Sequence, residues 1–263
     1  MAPTDTADVV VVERRGAAAI VTLNRPEVRN ALNHELRSGL YRALAEADGG
    51  DAAAIVLTGA DPAFCAGLDL KALARDGLAR TEADDADRSA PRSPLPPLDK
   101  PLIGAINGVA VTGGLELALT CDFLVGSERA AFADTHARVG VMPGWGLTVA
   151  LPQAIGIRRA RQMSFTGNYV DAAQALAWGL LNEVVDHDDL LDRAVAIAED
   201  MSSIAPASLA GVRNAYLAAA AGHDRPALEA EAAYSARWAT GFDPAAFAKA
   251  REGIQARGRS QQR

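Results

Sequence analysis

One strand-to-helix transition in the middle of the chain constrains the fold more than any other feature. Residues 102–120 read LIGAINGVAVTGGLELALT, an apolar run of strand length, a break at Thr112-Gly113-Gly114, and a segment rich in helix formers. A buried strand that enters a helix through a glycine turn leaves amide hydrogens unpaired at the helix start, where they can stabilise negative charge. Glu116 falls in the first helical turn, and burying its carboxylate without a partner or a role would be costly.

A second glycine turn complements the first. Residues 55–71 read IVLTGADPAFCAGLDLK, in which a short strand precedes Ala66-Gly67-Leu68 and then Asp69-Leu70-Lys71. Two such turns can each supply one backbone amide to the same carbonyl oxygen, which is the construction of an oxyanion hole. The two segments together therefore indicate a site that stabilises a developing oxyanion.

These motifs resemble the crotonase, or enoyl-CoA hydratase/isomerase, superfamily. The resemblance runs from about residue 9 to about residue 205 and includes LNRPEVRNAL at 23–32, MPGWG at 142–146 and TGNYVDAAQALAWGLLNEVV at 166–185. It implies an α/β fold with a crotonase-like ββα superhelix core and a C-terminal helical region. We expect residues 1–200 to form the core with the CoA-ester site and residues 201–263 to form a helical oligomerisation region.

Hydrophobic spacing predicts the elements of this fold. Two strands at 9–12 and 17–23 form a hairpin turning at 13–16, and a helix covers 30–47. Strands follow at 54–58, 122–126 and 181–185, and residues 131–140 form a loop with a partner strand. Helices are predicted at 147–154, 158–164, 171–178 with Asp171 as N-cap, 190–204, 208–220, 226–240 and 245–257.

The resemblance also assigns the binding residues. The oxyanion donors would be the backbone amides of Leu68 and Gly113. Lys71 would meet a CoA phosphate or remain a solvated lysine, Trp145 would line the acyl pocket or the core, and Arg25 is expected in a solvated turn. The complete set expected to bind CoA or substrate is Arg29, Ala66, Asp69, Leu70, Lys71 and Trp145.

Glu116 matches the position of a catalytic glutamate in hydratases of this family. As a base it would deprotonate water for attack at Cβ, or remove an α proton in an isomerase. A glutamate in the first turn can instead serve as a capping or helix-dipole partner. Its position directly after the oxyanion turn favours the catalytic interpretation.

His136 is where this chain departs from the family pattern. Its position matches the second glutamate, with which typical hydratases protonate the α carbon. A histidine exchanges protons near neutral pH, so His136 either pairs with Glu116 as the acid or only hydrogen-bonds in the pocket wall. Asp134, two residues earlier, would face the same side of a strand and ranks below His136.

The predicted function is an enoyl-CoA hydratase that adds water to a trans-2-enoyl-CoA. Two alternatives stay open because of His136: an isomerase or decarboxylase of acyl-CoA on the same fold, and a catalytically silent acyl-CoA binding protein. The resemblance further implies a homo-oligomer, either a trimer or a dimer of trimers. The proline and acidic residues of 72–100 predict that this segment is partly mobile, and the resemblance implies that it caps the acyl pocket.

Composition excludes several other classes. A net charge of −7 and a pI near 5.2 argue against a nucleic-acid partner, and no apolar stretch reaches the ~18 residues of a membrane span. The N-terminus lacks the pattern of a signal peptide, and two cysteines are too few for a disulfide framework, so a cytoplasmic location is expected.

Cys65 is expected to pack rather than to act as a nucleophile. His34, His187 and His223 lack clustered ligands, so no metal is expected. The central glycines do not form G-x-G-x-x-G, so no nucleotide cofactor is expected either, and coenzyme A is part of the substrate.

Overall fold

The chain forms two β-sheets surrounded by helices, in a computed structural model that describes residues 8–76, 93–241, 243, 253 and 255–261. The strands are β1 (Val10–Arg15), β2 (Ala18–Leu23), β3 (Ala54–Gly59), β4 (Ala63–Cys65), β5 (Leu102–Ile106), β6 (Val109–Val111), β7 (Phe123–Ser127), β8 (Ala131–Ala133), β9 (Val170–Asp171) and β10 (Glu183–Val185). The helices are α1 (His34–Gly49), α2 (Leu70–Asp76), α3 (Gly113–Leu119), α4 (His136–Val139), α5 (Leu147–Ile155), α6 (Ile157–Thr166), α7 (Ala172–Trp178), α8 (Leu190–Met201) and α9 (Pro206–Ala239).

The predicted ββα superhelix is confirmed by the strand order. The larger sheet runs β1-β2-β3-β5-β7-β10 and the smaller sheet β4-β6-β8-β9. Three consecutive units, β3-β4-α2, β5-β6-α3 and β7-β8-α4, each give one strand to the larger sheet, one to the smaller sheet and then a helix. Because β4, β6 and β8 are parallel neighbours, the loops that follow them emerge at the same edge of the smaller sheet.

Both faces of the larger sheet are covered around its central strands, which is why its parallel strands are mainly apolar. Ile20, Val56 and Ile103 pack on one face against the α8 residues Leu190 and Ala194. The opposite face packs against α1 and the smaller sheet in a second, larger core. The rigid sheet therefore fixes the strand ends from which the candidate site is built.

The N-terminal hairpin is present, but its turn lies at residues 16–17 rather than 13–16. β1 continues through Arg15, and Arg14 and Arg15 pair with Ala19 and Ala18. β1 is the edge strand of the sheet, and charged side chains are typical of such a position. The charges that suggested a turn are thus exposed strand residues.

Other boundaries also differ from the predictions. Helix α1 begins at His34 rather than at residue 30, because Asn33 caps it by accepting from the Leu36 amide at 2.9 Å. Residues 131–140 contain strand β8 and the short helix α4. Asp171 is confirmed as an N-cap, accepting from the Gln174 amide at 2.8 Å.

The C-terminal region is more continuous than the sequence suggests. The helices predicted at 208–220 and 226–240 form the single helix α9, which passes through Pro226. A proline inside a helix leaves the carbonyl four residues earlier without its donor. That carbonyl belongs to Gly222, which is exposed, so water can satisfy it. Most of the helix predicted at 245–257 lies outside the described residues, and residues 255–261 are helical.

The segment expected to cap the acyl pocket is described only in part, since residues 77–92 of 72–100 lie outside the described residues. Leu95 and Leu98 of this segment are buried in the larger core. In the described part of the chain, no helix has the length and hydrophobicity needed to cross a membrane.

Candidate active site

The loops after β4 and β6 meet at their glycines. Leu68 pairs with Leu32 in an isolated parallel bridge, in which the Leu32 amide donates to the Gly67 oxygen at 2.7 Å and the Asp69 amide donates to the Leu32 oxygen at 3.0 Å. The amide of Leu68, between these two bonds, points away from Leu32. A Cβ atom on Gly67 would lie 3.3 Å from the Gly113 nitrogen. Neither the Leu68 nor the Gly113 amide has a hydrogen-bond partner among the described residues.

Thr112 turns the chain from β6 into α3 in a strained conformation. Its φ of 55° and ψ of −114° lie where residues other than glycine are rarely found, and such strain concentrates at functional sites. The loop after β8 holds this conformation, because the Thr112 amide donates to the Ala133 oxygen at 3.0 Å and the hydroxyls of Thr112 and Thr135 are 2.5 Å apart. The turn makes Gly113 the first residue of α3.

Glu116 is buried one turn into α3, as predicted, with 4 % of its surface exposed. Its Oε1 accepts hydrogen bonds from the backbone amides of Gly144 at 3.2 Å and Trp145 at 2.8 Å. The carboxylate thus does not cap its own helix, which was the structural alternative. Two fixed amides orient it and leave Oε2 directed at the next residue of the site.

That residue is His136, whose Nε2 lies 3.3 Å from Glu116 Oε2. On the other side of the imidazole ring, Nδ1 lies 2.7 Å from Asp134 Oδ1, which also accepts from the His136 amide at 3.1 Å. Asp134 and His136 therefore do lie together, but not as neighbours on the same side of a strand as expected, since β8 ends at Ala133 and His136 begins α4. The three side chains form a buried row of Glu116, His136 and Asp134, each at most 4 % exposed.

The electrostatics of this row favour a protonated histidine. Burial, the largest single effect, disfavours the charged imidazole, but the Glu116 charge and the hydrogen bond to Asp134 outweigh it and raise the pKa of His136 to about 9. For Asp134, burial opposes ionisation, yet hydrogen bonds from His136 and Ser164 lower its pKa. At neutral pH His136 is therefore an imidazolium, held between Glu116 and Asp134.

A cavity of about 490 Å³ opens at Thr112 and Thr135. This volume is within the usual size range of small-molecule sites. The cavity lining includes Thr112 and Thr135 but not Glu116 or His136, and its mouth includes basic side chains that no local motif indicated, Arg257 and Arg259. The cavity is lined by five of the residues predicted to bind CoA or substrate, Arg29, Ala66, Asp69, Leu70 and Lys71, and by the predicted oxyanion residue Leu68.

Trp145 is not among the cavity-lining residues. Its ring edge instead lies 3.4 Å from the position of a Cβ on Gly113, and the Arg37 guanidinium stacks over the ring at 5.2 Å from its centroid. Trp145 thus packs behind the turn at Gly113, while its amide donates to Glu116.

Arg25 is not in a solvated turn, contrary to the prediction. Its guanidinium donates to Asp69 Oδ2 at 3.2 Å, with the two side chains 15 % and 13 % exposed, and also donates to the Ala31 oxygen. The fully buried Asn30 accepts from the Arg25 amide at 2.9 Å and donates to the Ala63 oxygen at 2.7 Å. These contacts tie residues 25–31 to the loop that carries Leu68. Nothing in the local sequence indicates the Arg25–Asp69 and Asn30–Ala63 contacts, because their partners are 44 and 33 residues apart.

Other candidates have structural roles. Cys65 is fully buried, its thiol donates to the Asn30 oxygen at 3.2 Å, and burial raises its pKa to about 12, which suits packing rather than nucleophilic attack. His187 has a carboxylate partner that the sequence did not suggest, Asp61 at 3.0 Å. Within the described ranges, no three His, Cys, Asp or Glu side chains converge to hold a metal ion.

Known proteins resemble this chain over most of its length. The family described as enoyl-CoA hydratase/isomerase matches residues 13–256. The probable peroxisomal enoyl-CoA hydratase 1 of Arabidopsis thaliana is 39 % identical over 190 residues, which cover 72 % of this chain and 71 % of that protein. The solved enoyl-CoA hydratase of Mycobacterium smegmatis is 46 % identical with a TM-score of 0.80, covering 90 % of this chain and 100 % of that one. The carnitinyl-CoA hydratase of Mycobacterium avium is 32 % identical with a TM-score of 0.82, covering 98 % of each chain.

Proposed function

Since this chain belongs to the enoyl-CoA hydratase/isomerase family, we propose that it adds water to a trans-2-enoyl-CoA with Glu116 and His136 as its base and acid. It is an enoyl-CoA hydratase, a hydro-lyase of fatty acid metabolism, as relatives at 38–46 % identity indicate. One observation carries the proposed mechanism: the 3.3 Å approach of Glu116 Oε2 to His136 Nε2, one helical turn after an oxyanion turn.

Glu116 is the base in this mechanism. Its carboxylate takes a proton from water while the water oxygen bonds to Cβ of the substrate. The electron pair of the carbon–carbon double bond moves to Cα and is delocalised onto the thioester oxygen as an enolate. Because two amides already fix Oε1 of Glu116, the carboxylate is oriented before substrate arrives, which reduces the entropic cost of the step.

His136 is the acid that completes the addition. Its imidazolium donates the Nε2 proton to Cα, and the neutral imidazole then recovers a proton from protonated Glu116 across the same 3.3 Å gap. Asp134 keeps the other ring nitrogen protonated and the ring in place. The pair therefore returns to its resting charges without an outside proton carrier.

The amides of Leu68 and Gly113 bind the thioester oxygen, where charge develops. Hydrogen bonds that strengthen as the enolate forms stabilise the transition state more than the substrate. The basic side chains at the cavity mouth, Arg29, Lys71 and Arg257, suit the phosphates of coenzyme A despite the overall negative charge of the chain.

We expect Gly67→Ala to lower kcat by about 10²–10³-fold through the oxyanion hole. Gly67 has a φ of +83°, and a Cβ there would lie 2.6 Å from the Val111 oxygen, so the Leu68 amide must move away from Gly113. Gly156→Ala is the matched control, since Gly156 has a similar φ of +81° but no described heavy atom within 4 Å of an added Cβ. Steady-state kinetics measure kcat in both variants. Equal losses of kcat in the two would mean that backbone strain alone, and not displacement of the oxyanion donor, lowers the rate.

The pH dependence of turnover follows from His136. With its pKa raised to about 9, the acid is protonated at neutral pH, and kcat/KM should be level there and fall as pH rises through about 9. The raised pKa of His136 also stabilises the fold. Its contribution to the free energy of unfolding is complete below the ordinary imidazole pKa of about 6.5 and is lost as pH rises through about 9. A pH–rate profile and thermal melts at each pH test both. A fall in activity centred near the ordinary imidazole value would contradict the assigned role.

The reaction itself is tested by incubating the purified chain with crotonyl-CoA and following loss of the conjugated enoyl-thioester absorbance. Saturated butyryl-CoA should compete, because it fills the same cavity without a double bond to hydrate. Binding of both ligands without loss of absorbance would instead support a silent acyl-CoA binding protein.

We also propose that the chain assembles as a trimer or a dimer of trimers in the cytoplasm, with residues 201–263 taking part in assembly. The apolar side chains exposed on α9, Val212, Tyr216 and Leu217, support an interface there. Light scattering should give three or six times the chain mass of 27.4 kDa, and a monomer would overturn the assembly. Cell fractionation tests the location.

A further inference from the structure

Helix α9 carries a buried carboxylate that the proposed mechanism does not use. Glu231 is 6 % exposed and is the one buried residue of this helix within the described part of the chain. Most of α9 is exposed, including the large side chains Tyr216 and Tyr234. A charged side chain buried on an otherwise exposed helix requires partners that compensate for its lost hydration.

The partners of Glu231 are at the start of helix α5. Its Oε1 accepts from the Gly146 amide at 2.6 Å, and its Oε2 accepts from the Thr148 amide at 2.7 Å and from the Thr148 hydroxyl. The N-cap of α5 is Gly146, which has no side chain to satisfy these amides. Glu231 therefore caps α5 from another helix, in the place where an N-cap side chain would normally act.

The same turn holds the proposed base from its other side. The amides of Gly144 and Trp145 donate to Glu116. Two later amides of the same turn, those of Gly146 and Thr148, donate to Glu231. Residues 144–148 are thus fixed between two buried carboxylates. Movement of the turn would move the Glu116 carboxylate relative to His136.

Further contacts along one face of α9 hold it on this turn. A Cβ on Gly144 would lie 3.2 Å from Ser235 Oγ, and one on Gly146 would lie 3.0 Å from Leu228. The Trp238 Nε1 donates to the Gly140 oxygen at 2.9 Å. These residues recur at spacings of three and four along the helix, so a single α9 face covers residues 140–148. None of the described residues that line the cavity belongs to α9.

From this geometry we propose that Glu231 is a positioning residue: it fixes the turn at residues 144–148 and, through the Gly144 and Trp145 amides, sets the Glu116 carboxylate opposite His136. The C-terminal helix then contributes to turnover without touching substrate. This inference rests on the proposed function, because it takes Glu116 as the base.

The test compares Glu231→Ala with a control on the same helix. Arg213→Ala removes another anchor of α9, the pairing of Arg213 with Asp122 at 2.8 Å and with the Leu98 oxygen, and this anchor does not reach the turn. Glu231→Ala is expected to lower kcat by about 10- to 100-fold with KM within roughly threefold, because small displacements of a catalytic group are costly and binding is untouched. Arg213→Ala is expected to lower the melting temperature but leave kcat within about twofold.

A conservative variant keeps the test valid if Glu231→Ala folds poorly. Glu231→Gln retains the shape and one carbonyl acceptor, so it should fold and give a kcat between those of Glu231→Ala and the wild type. A wild-type kcat in a folded Glu231→Ala protein, or kcat losses in Glu231→Ala and Arg213→Ala that simply follow their folded fractions, would overturn the proposal.

Amide hydrogen exchange separates failure of this inference from failure of the proposed function. If the wild type does not hydrate crotonyl-CoA, the proposed function fails, yet exchange across residues 143–148 still reports on the turn. Faster exchange there in Glu231→Ala but not in Arg213→Ala supports the positioning role. Unchanged exchange in Glu231→Ala overturns it.

Discussion

Glu116→Gln is expected to lower kcat by about 10²–10⁴-fold, the usual contribution of a general base. Glutamine keeps the shape of the side chain, and its amide oxygen can still accept from the Gly144 and Trp145 amides. What it loses is the ability to take a proton from water. KM for crotonyl-CoA should stay within roughly threefold, because the cavity and the two oxyanion amides are unaltered.

The control for this variant is the same substitution at a glutamate remote from the site. Glu199→Gln alters a carboxylate of α8 that accepts from the Ala17 amide at 2.6 Å, and it should leave kcat unchanged. Competition with butyryl-CoA measures binding in each variant. A Glu116→Gln protein that turns over at the wild-type rate, or one that has lost acyl-CoA binding together with activity, would contradict the role of Glu116 as a base.

His136→Gln is expected to lower hydration by a similar factor, about 10²–10⁴-fold, because it removes the acid that protonates Cα. Asp134, which positions the imidazole, offers a second variant with a smaller expected effect. Asp134→Asn leaves the imidazole in place and keeps an oxygen that can accept from it, but removes the carboxylate charge that helps to raise the pKa of His136, so the alkaline fall of the pH–rate profile should move to lower pH. Steady-state rates and pH–rate profiles of the two variants measure both effects.

Retention of full hydration by His136→Gln would mean that Glu116 works alone and that His136 only forms part of the pocket wall. An unmoved alkaline fall in Asp134→Asn would show that some group other than His136 sets the profile. Either outcome would favour the alternative that His136 suggests by standing in place of a second glutamate, in which Glu116 is the one acid–base residue.

The parts of the site that the sequence predicted are those encoded locally. The apolar strand, the glycine break and the helix formers of residues 102–120 predict β5, α3 and the place of Glu116 from neighbouring residues alone. The same holds for the glycine turn before Leu68. The ββα core was predicted by the family resemblance alone, because no internal sequence repeat indicates it.

The parts that the sequence did not predict depend on residues that are distant along the chain. Glu231 contacts Gly146 across 85 residues, and Arg25 contacts Asp69 across 44, so no periodicity or local motif contains either pair. Asp134 was considered for a strand geometry that the structure does not have, because the chain leaves β8 at Ala133. The local pattern predicts a helix start at Pro226, but Pro226 lies inside α9, where the exposed Gly222 carbonyl can bind water instead of the missing amide.

The most direct test of the account is mass spectrometry of crotonyl-CoA incubated with the purified protein in deuterated water, beside a protein-free control and the Glu116→Gln variant. Hydration by Glu116 and His136 predicts a product heavier by one water that keeps one deuterium on Cα after return to ordinary water, formed by the wild type and nearly absent in both controls. Crotonyl-CoA that is bound but recovered without added water, whether unchanged or carrying deuterium on carbon, would contradict hydration by the Glu116 and His136 pair.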